Sequence, residues 1–154
     1  MTRRDFLLAA TVSPLLIGGF QFSPTPMTAK PVSTSLDLSR LLACIALVET
    51  GGDDTRIGKS GERSKYQIGE KVWDQHMRET CFCFERDCHT TLATLVAWRH
   101  SQWLHTHIGP NVFALALGWH VGLENWRTAR FQLPQRYYGE RVRNLYNDTT
   151  LIFT

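Results

Sequence analysis

The segment from Asp37 to Gly52 constrains this chain more than any other. Leu38, Leu41, Leu42 and Ile45 recur at three- and four-residue steps, the spacing of one face of a helix. Asp37 can cap the helix at its start, and Gly51-Gly52 supplies a residue able to take the left-handed conformation that ends it. A stripe of this kind must be buried against other elements, which directs the chain toward helix-on-helix packing. Glu49 lies four residues after Ile45, on the same stripe. A carboxylate on an apolar helix face is costly unless it has a partner or a purpose. It also sits in the last turn, where the negative end of the helix dipole disfavours a further negative charge. Both effects raise a carboxyl pKa, and a proton retained toward neutral pH is what a general acid requires. Position alone leaves the alternative open that Glu49 reaches water or pairs with an arginine.

The rest of the body reads as further helices. Asp53 to Lys65 is polar, glycine-bearing and without a helical period, so a loop or short hairpin is expected. Glu70 to Glu79 predicts a short helix with Val72, Trp73 and Met77 inward. A cysteine-rich connection, Cys81 to His89, leads to a longer helix capped by Thr90 or Thr91 and running to about His107, with Leu92, Leu95, Val96 and Trp103 buried. Gly109-Pro110 stops it, and Pro110 suits the first turn of the next helix, Asn111 to Trp119. Leu123 to Phe131 and Pro134 to Asn147 complete the tail, with Tyr138, Val142 and Leu145 on one face. The expected fold is mainly α, with one irregular lobe and little strand.

The N-terminus has a different character. Met1 to Phe20 places Arg3 and Arg4 before an apolar run, Phe6 to Phe20, shorter than the roughly 20 residues that span a membrane. This is the pattern of an export signal. Thr2-Arg3-Arg4-Asp5-Phe6-Leu7 resembles the twin-arginine signal, departing from it at Leu8; an uncleaved membrane anchor is the alternative. Residues 21–35, rich in Pro, Ser and Thr, read as a disordered linker, leaving 36–154 as the body. The implied location is periplasmic or extracellular, with the membrane met only through an uncleaved signal. A formal net charge of +3 over 154 residues is too small to argue for nucleic acid.

Four motifs, in order, carry a resemblance. They are Ile45-Ala46-Leu47-Val48-Glu49-Thr50-Gly51-Gly52; the loop Gly58-Lys59-Ser60-Gly61-Glu62-Arg63-Ser64-Lys65-Tyr66-Gln67-Ile68; Ala114-Leu115-Ala116-Leu117-Gly118-Trp119-His120-Val121-Gly122; and Tyr138-Gly139-Glu140-Arg141-Val142. Together, over Leu36 to Asn147, they resemble the lysozyme-like superfamily of soluble lytic transglycosylases and goose-type lysozymes. The family has a helix ending in Glu-Ser-Gly, a glycine loop closing in Gly-Leu-Met-Gln-Ile, an Ala-Tyr-Asn-Ala-Gly segment and a terminal Tyr-Val-x-x-Val helix. This chain departs at Ser64 (for the second glycine), Tyr66 (for methionine), His120 (for asparagine) and Gly58, where many transglycosylases have a serine near the substrate. Tyr66-Gln67-Ile68 followed by Trp73 is also similar to invertebrate-type lysozymes of the same superfamily.

The resemblance implies a lysozyme-like helical domain with a small irregular or hairpin lobe beside an active-site cleft, and a muramidase acting on peptidoglycan glycan strands. Glu49 would protonate the oxygen between N-acetylmuramic acid and N-acetylglucosamine. In a transglycosylase the same glutamate then acts as base on the sugar's 6-hydroxyl, giving a 1,6-anhydro end. A hydrolase uses a second carboxylate, for which Asp53 and Asp54 are the nearest candidates. Gln67 would bond an N-acetyl group or Glu49, and Tyr138 would orient Glu49 or a sugar hydroxyl. Tyr66 and Trp119 would offer sugar-stacking faces, and His120 would make a contact in place of asparagine. No metal or cofactor is implied. With no second carboxylate in an evident place, the sequence tilts toward a transglycosylase. A hydrolytic lysozyme and a silent wall-binding module are the alternatives. The cysteines suggest a third: a small exported metal or redox protein. Outside the cytoplasm they favour disulfides, Cys81 or Cys83 to Cys88 with Cys44 taking the remaining one. Cys44 lies about 140° around the helix from Glu49, so it faces away from the proposed cleft.

Overall fold

The structure, a computed structural model, describes residues 35–128 and 130–150. The expected export signal, the expected linker through Thr34, Ala129 and the last four residues lie outside them. Among the described residues the chain is mainly helical and has no strand. The elements are α1 (Leu38–Thr50), α2 (Glu70–Met77), α3 (Phe84–Asp87), α4 (Thr90–Ile108), α5 (Val112–Val121), α6 (Leu123–Arg127) and α7 (Leu133–Asn147).

Local chemistry sets the ends of α1. The Asp37 side chain accepts from the Arg40 N–H, and Gly51 takes the left-handed conformation at φ 71°. Its buried face is Leu41, Leu42, Cys44, Ile45 and Ala46. The start of α1 is tied to the far end of α7. The Asp37 N–H donates to the Tyr146 hydroxyl at 2.8 Å, and Arg40 Nε donates to the Tyr146 carbonyl at 2.7 Å. Glu49, at the other end of α1, is thereby held against the earlier turns of α7.

Helix α5 carries apolar residues around its whole circumference, with Leu115, Ala116, Leu117 and Gly118 buried in succession. Such a helix belongs inside, and α5 packs against α4, α6 and α7. Glycine at 139 permits a close approach of α7 to α5: a Cβ there would stand 2.9 Å from the Phe113 ring and 3.2 Å from Leu117 Cγ.

Several expectations are corrected. Neither Thr90 nor Thr91 caps α4; His89 occupies the N-cap position, and its side chain accepts no hydrogen bond from the helix N–H groups. The buried face of α4 is Ala93, Val96, Ala97, His100, Ser101 and Leu104, whereas Leu95 is 38% exposed and Leu92 and Trp103 are only partly buried. Ala93, Ala97 and Ser101 let α4 approach its neighbours closely, while Leu92 and Trp103 pack at the edge of the core and Leu95 turns outward. Pro110 lies outside α5, which Asn111 caps through its side chain onto the Ala114 N–H. The cysteine connection contains the short helix α3. All four cysteines are free thiols: Cys44 and Cys88 are buried, and Cys81 and Cys83 are exposed. Each expected bridge would join a buried sulfur to an exposed one, and none is formed. Burial pushes the Cys44 thiol up to about 11 and the Cys88 thiol to about 12, which holds both in the unreactive protonated form.

Candidate functional site

The irregular stretch from Gly51 to Gly69 is a series of tight turns, two of which form its hairpin. Gly61 N–H bonds the Gly58 carbonyl at 3.2 Å, and Gln67 N–H bonds the Ser64 carbonyl at 3.1 Å. Arg63 pairs in antiparallel fashion with both Ile57 and Ile68, so the segment is a rudimentary hairpin. Ser64 and Gln67 both adopt positive φ, 68° and 49°, a region most residues avoid. Ser64 thus keeps a conformation natural to glycine. Its hydroxyl, buried, accepts from the Tyr66 N–H. The Thr50 hydroxyl reaches the Lys65 carbonyl at 3.2 Å, which pins this hairpin to the end of α1.

A cavity of about 240 Å³ opens where the hairpin meets α1 and α5, lined by Glu49, Glu62, Gln67, Trp119 and His120. That is smaller than the roughly 300–1,000 Å³ of pockets that enclose a whole ligand, and suits one subsite of an open groove. Glu49 is half-buried there. Its Oε1 accepts from the Tyr138 hydroxyl at 2.7 Å. Burial raises the Glu49 pKa above the ordinary carboxylate value; the Tyr138 hydrogen bond opposes that rise, and the negative charge of Glu62 adds to it. Tyr138 is buried, and burial together with the adjacent carboxylate raises its own pKa far above 10. It therefore remains a hydrogen-bond donor at any ordinary pH. His120 stacks on the Tyr138 ring, centroids 4.3 Å apart and planes 17° from parallel. The cover this gives the imidazole lowers its pKa, so it is neutral at pH 7.

The structure thus gathers Glu49, Gln67, Trp119, His120 and Tyr138, and it separates the other expected residues from them. Tyr66 is 6% exposed and sits in the core with the Lys65 ammonium 5.4 Å from its ring centre, so its face is not open to a sugar. Asp53 is spent on a turn, accepting from the Thr55 N–H and hydroxyl. Asp54 pairs with Lys65 at 3.4 Å. Neither aspartate lines the cavity. Gln67 does, but its amide nitrogen donates to the Ser64 and Arg56 carbonyls, not to Glu49; only the amide oxygen is left to turn toward the cavity.

The residue that sequence reading missed is Glu62. Its Oε2 accepts from the Ser60 N–H at 3.0 Å, and the side chain crowds Gly58. A Cβ at position 58 would lie 2.2 Å from Glu62 Oε2 and 2.5 Å from Gln67 Oε1. The available signal was the bare glycine itself, standing where a serine was the expected family residue.

A larger recess, about 650 Å³, lies along α2 and α4 and is lined by Gln75, His76, Arg78, Glu79, Thr80 and Arg99. Its one carboxylate, Glu79, is exposed, and nothing in it resembles the coupled pair at Glu49. Chemistry therefore points to the smaller cavity. Among the described residues no group of His, Cys, Asp and Glu is arranged to hold a metal ion. Comparison with models of protein families, with curated proteins and with solved structures finds no match to the chain, so what the site does rests on its own geometry and on the motifs that compose it.

Proposed function

We propose that this chain is a lysozyme-like muramidase that cleaves peptidoglycan glycan strands, with Glu49 as the general acid. One observation carries the reading: a half-buried glutamate at the end of α1, its proton favoured by burial and by Glu62 and its carboxyl oriented by the Tyr138 hydroxyl at 2.7 Å. A carboxylic acid that keeps its proton toward neutral pH is suited to protonating a poor leaving group such as a glycosidic oxygen. Trp119 supplies an aromatic flank to the same cavity, and the Gln67 oxygen an acceptor for an N-acetyl N–H. The export-signal pattern would deliver the enzyme to a wall outside the cytoplasm.

With Glu49 alone the reaction ends in a 1,6-anhydro sugar, the product of a lytic transglycosylase; with a second carboxylate it ends in a reducing sugar, the product of a lysozyme. A wall-binding module that only retains the fold makes a different prediction. Wild-type protein should clear a suspension of purified sacculi, and Glu49→Gln should sediment with the sacculi without clearing them. Equal clearing by both would remove Glu49 from the chemistry, and binding without clearing by either would make the chain a binding module.

A further inference from the structure

The cavity holds a second carboxylate that no motif announced. We propose that Glu62 is the base that holds and deprotonates an attacking water, so that the chain hydrolyses its glycan rather than closing it into an anhydro sugar. This rests on the reading of Glu49 as an acid acting on a glycan.

Three observations support it. Glu62 and Glu49 line the same cavity, and they are close enough for the charge of one to bear on the proton of the other. Glu62 is held in place: one oxygen accepts the Ser60 N–H at 3.0 Å, and the other has no hydrogen-bond partner among the described residues. Third, the backbone has been cleared for it. The 2.2 Å separation between a Cβ at position 58 and Glu62 Oε2 means that a serine and this carboxylate placement exclude one another. Gly58 does not have the positive φ that would require glycine for backbone reasons. Its missing side chain is therefore a matter of room, and the room is taken by Glu62 and Gln67.

The step balances without any further reactant. Glu49 gives its proton to the glycosidic oxygen as the C1–O bond breaks, the bonding electrons remaining on that oxygen. Glu62 takes one proton from a water whose oxygen forms the new bond to C1. One water is consumed, one free reducing end appears, and exchange with solvent returns both carboxyl groups to their starting states. The division of labour is that of paired carboxylates generally: one gives a proton to the leaving oxygen and the other receives one from water.

The experiment is a mass-spectrometric analysis of the soluble products from purified sacculi, for wild type, Glu62→Gln and Gly58→Ser, with a melting midpoint for each. Wild type should release reducing ends. Glu62→Gln should keep its melting midpoint and lose roughly a hundred-fold or more in turnover, the range of a lost general base. The alkaline limb of its residual activity should move to lower pH, because Glu49 no longer has a negative neighbour. Gly58→Ser should lose reducing-end products in the same way, since it displaces the carboxylate without removing it, and it supplies the answer if Glu62→Gln fails to fold. Anhydro ends from the wild type, or reducing ends from both variants at the wild-type rate and pH profile, would overturn the assignment of Glu62 while leaving Glu49 in place. An intact sacculus with wild-type protein would overturn the muramidase reading itself.

Discussion

The chemistry of this site is set by how Tyr138 and Glu62 bear on the proton of Glu49. Glu49 has its pKa raised by burial and by Glu62, and lowered by the hydrogen bond from Tyr138. Removing the hydroxyl in Tyr138→Phe takes away the lowering contribution, so the alkaline limb of the activity profile should move to higher pH. The loss of orientation should cost roughly a hundred-fold in rate, and the pH-rate profile of the variant measures both. The ring stack on His120 survives that substitution, which confines the effect to the hydroxyl. A second consequence concerns stability. A carboxyl whose folded pKa lies above its unfolded value favours the fold fully below the unfolded pKa and loses that contribution as pH rises through the folded one. Glu49→Gln should accordingly be at least as stable as wild type at pH 7, with the advantage shrinking as pH falls through the raised folded pKa and gone below 4.5, the ordinary glutamate value. Denaturant titrations at the two pH values check this.

At the scale of elements, legibility followed locality. The face and the ends of α1 are written within a few residues of one another, in Asp37, the leucine steps and Gly51, so the helix and its glutamate could be read directly. The buried face of α4 could not, because Leu92, Leu95, Trp98 and Trp103 surround the same helix as Ala93, Val96 and Ala97. Only the neighbours decide which side is inside. Glu62 was illegible for a related reason. It reaches the cavity through turns whose geometry depends on positive φ at Gly61, Ser64 and Gln67, and on the gap left by Gly58. Asp53 and Asp54 are nearer to Glu49 in sequence but are consumed by turn and ion-pair contacts. Helix α7 offers a test of how tightly the elements fix the site. Gly139 follows Tyr138 and faces Phe113 and Leu117 of α5. Gly139→Val should destabilise the fold by about 2–3 kcal/mol through overpacking, measurable as a shift in denaturant midpoint, and should reduce activity by displacing Tyr138.

At the scale of the whole molecule, a buried titrating group that bears on stability lies behind the site. His100 is 6% exposed, stacked 5.4 Å from Trp103 and edge-on to Trp119 at 5.2 Å, and its Nδ1 lies 3.1 Å from His76 Nε2. Burial, and secondarily His76, lowers its pKa from 6.5 to about 4. Between those values the unfolded chain binds the proton and the folded chain does not. Stability is therefore fully present above pH 6.5 and declines as pH falls toward 4. The shift corresponds to about 3 kcal/mol, and His76, lowered in the same direction, adds to the slope. Unfolding free energies at pH 7 and pH 4.5 should differ accordingly, and His100→Gln should flatten the dependence. Because Trp119 rests on His100 and also lines the Glu49 cavity, acid should loosen that wall of the site along with the fold.

The central claim is that Glu49 cleaves glycan strands, and the most direct measurement is the release of soluble muropeptides from purified sacculi, resolved by mass, for wild type beside Glu49→Gln. Release by the wild type, and none by the variant at matched folding, is the expected result. An undigested sacculus with wild-type protein, or equal release by the two, would contradict it.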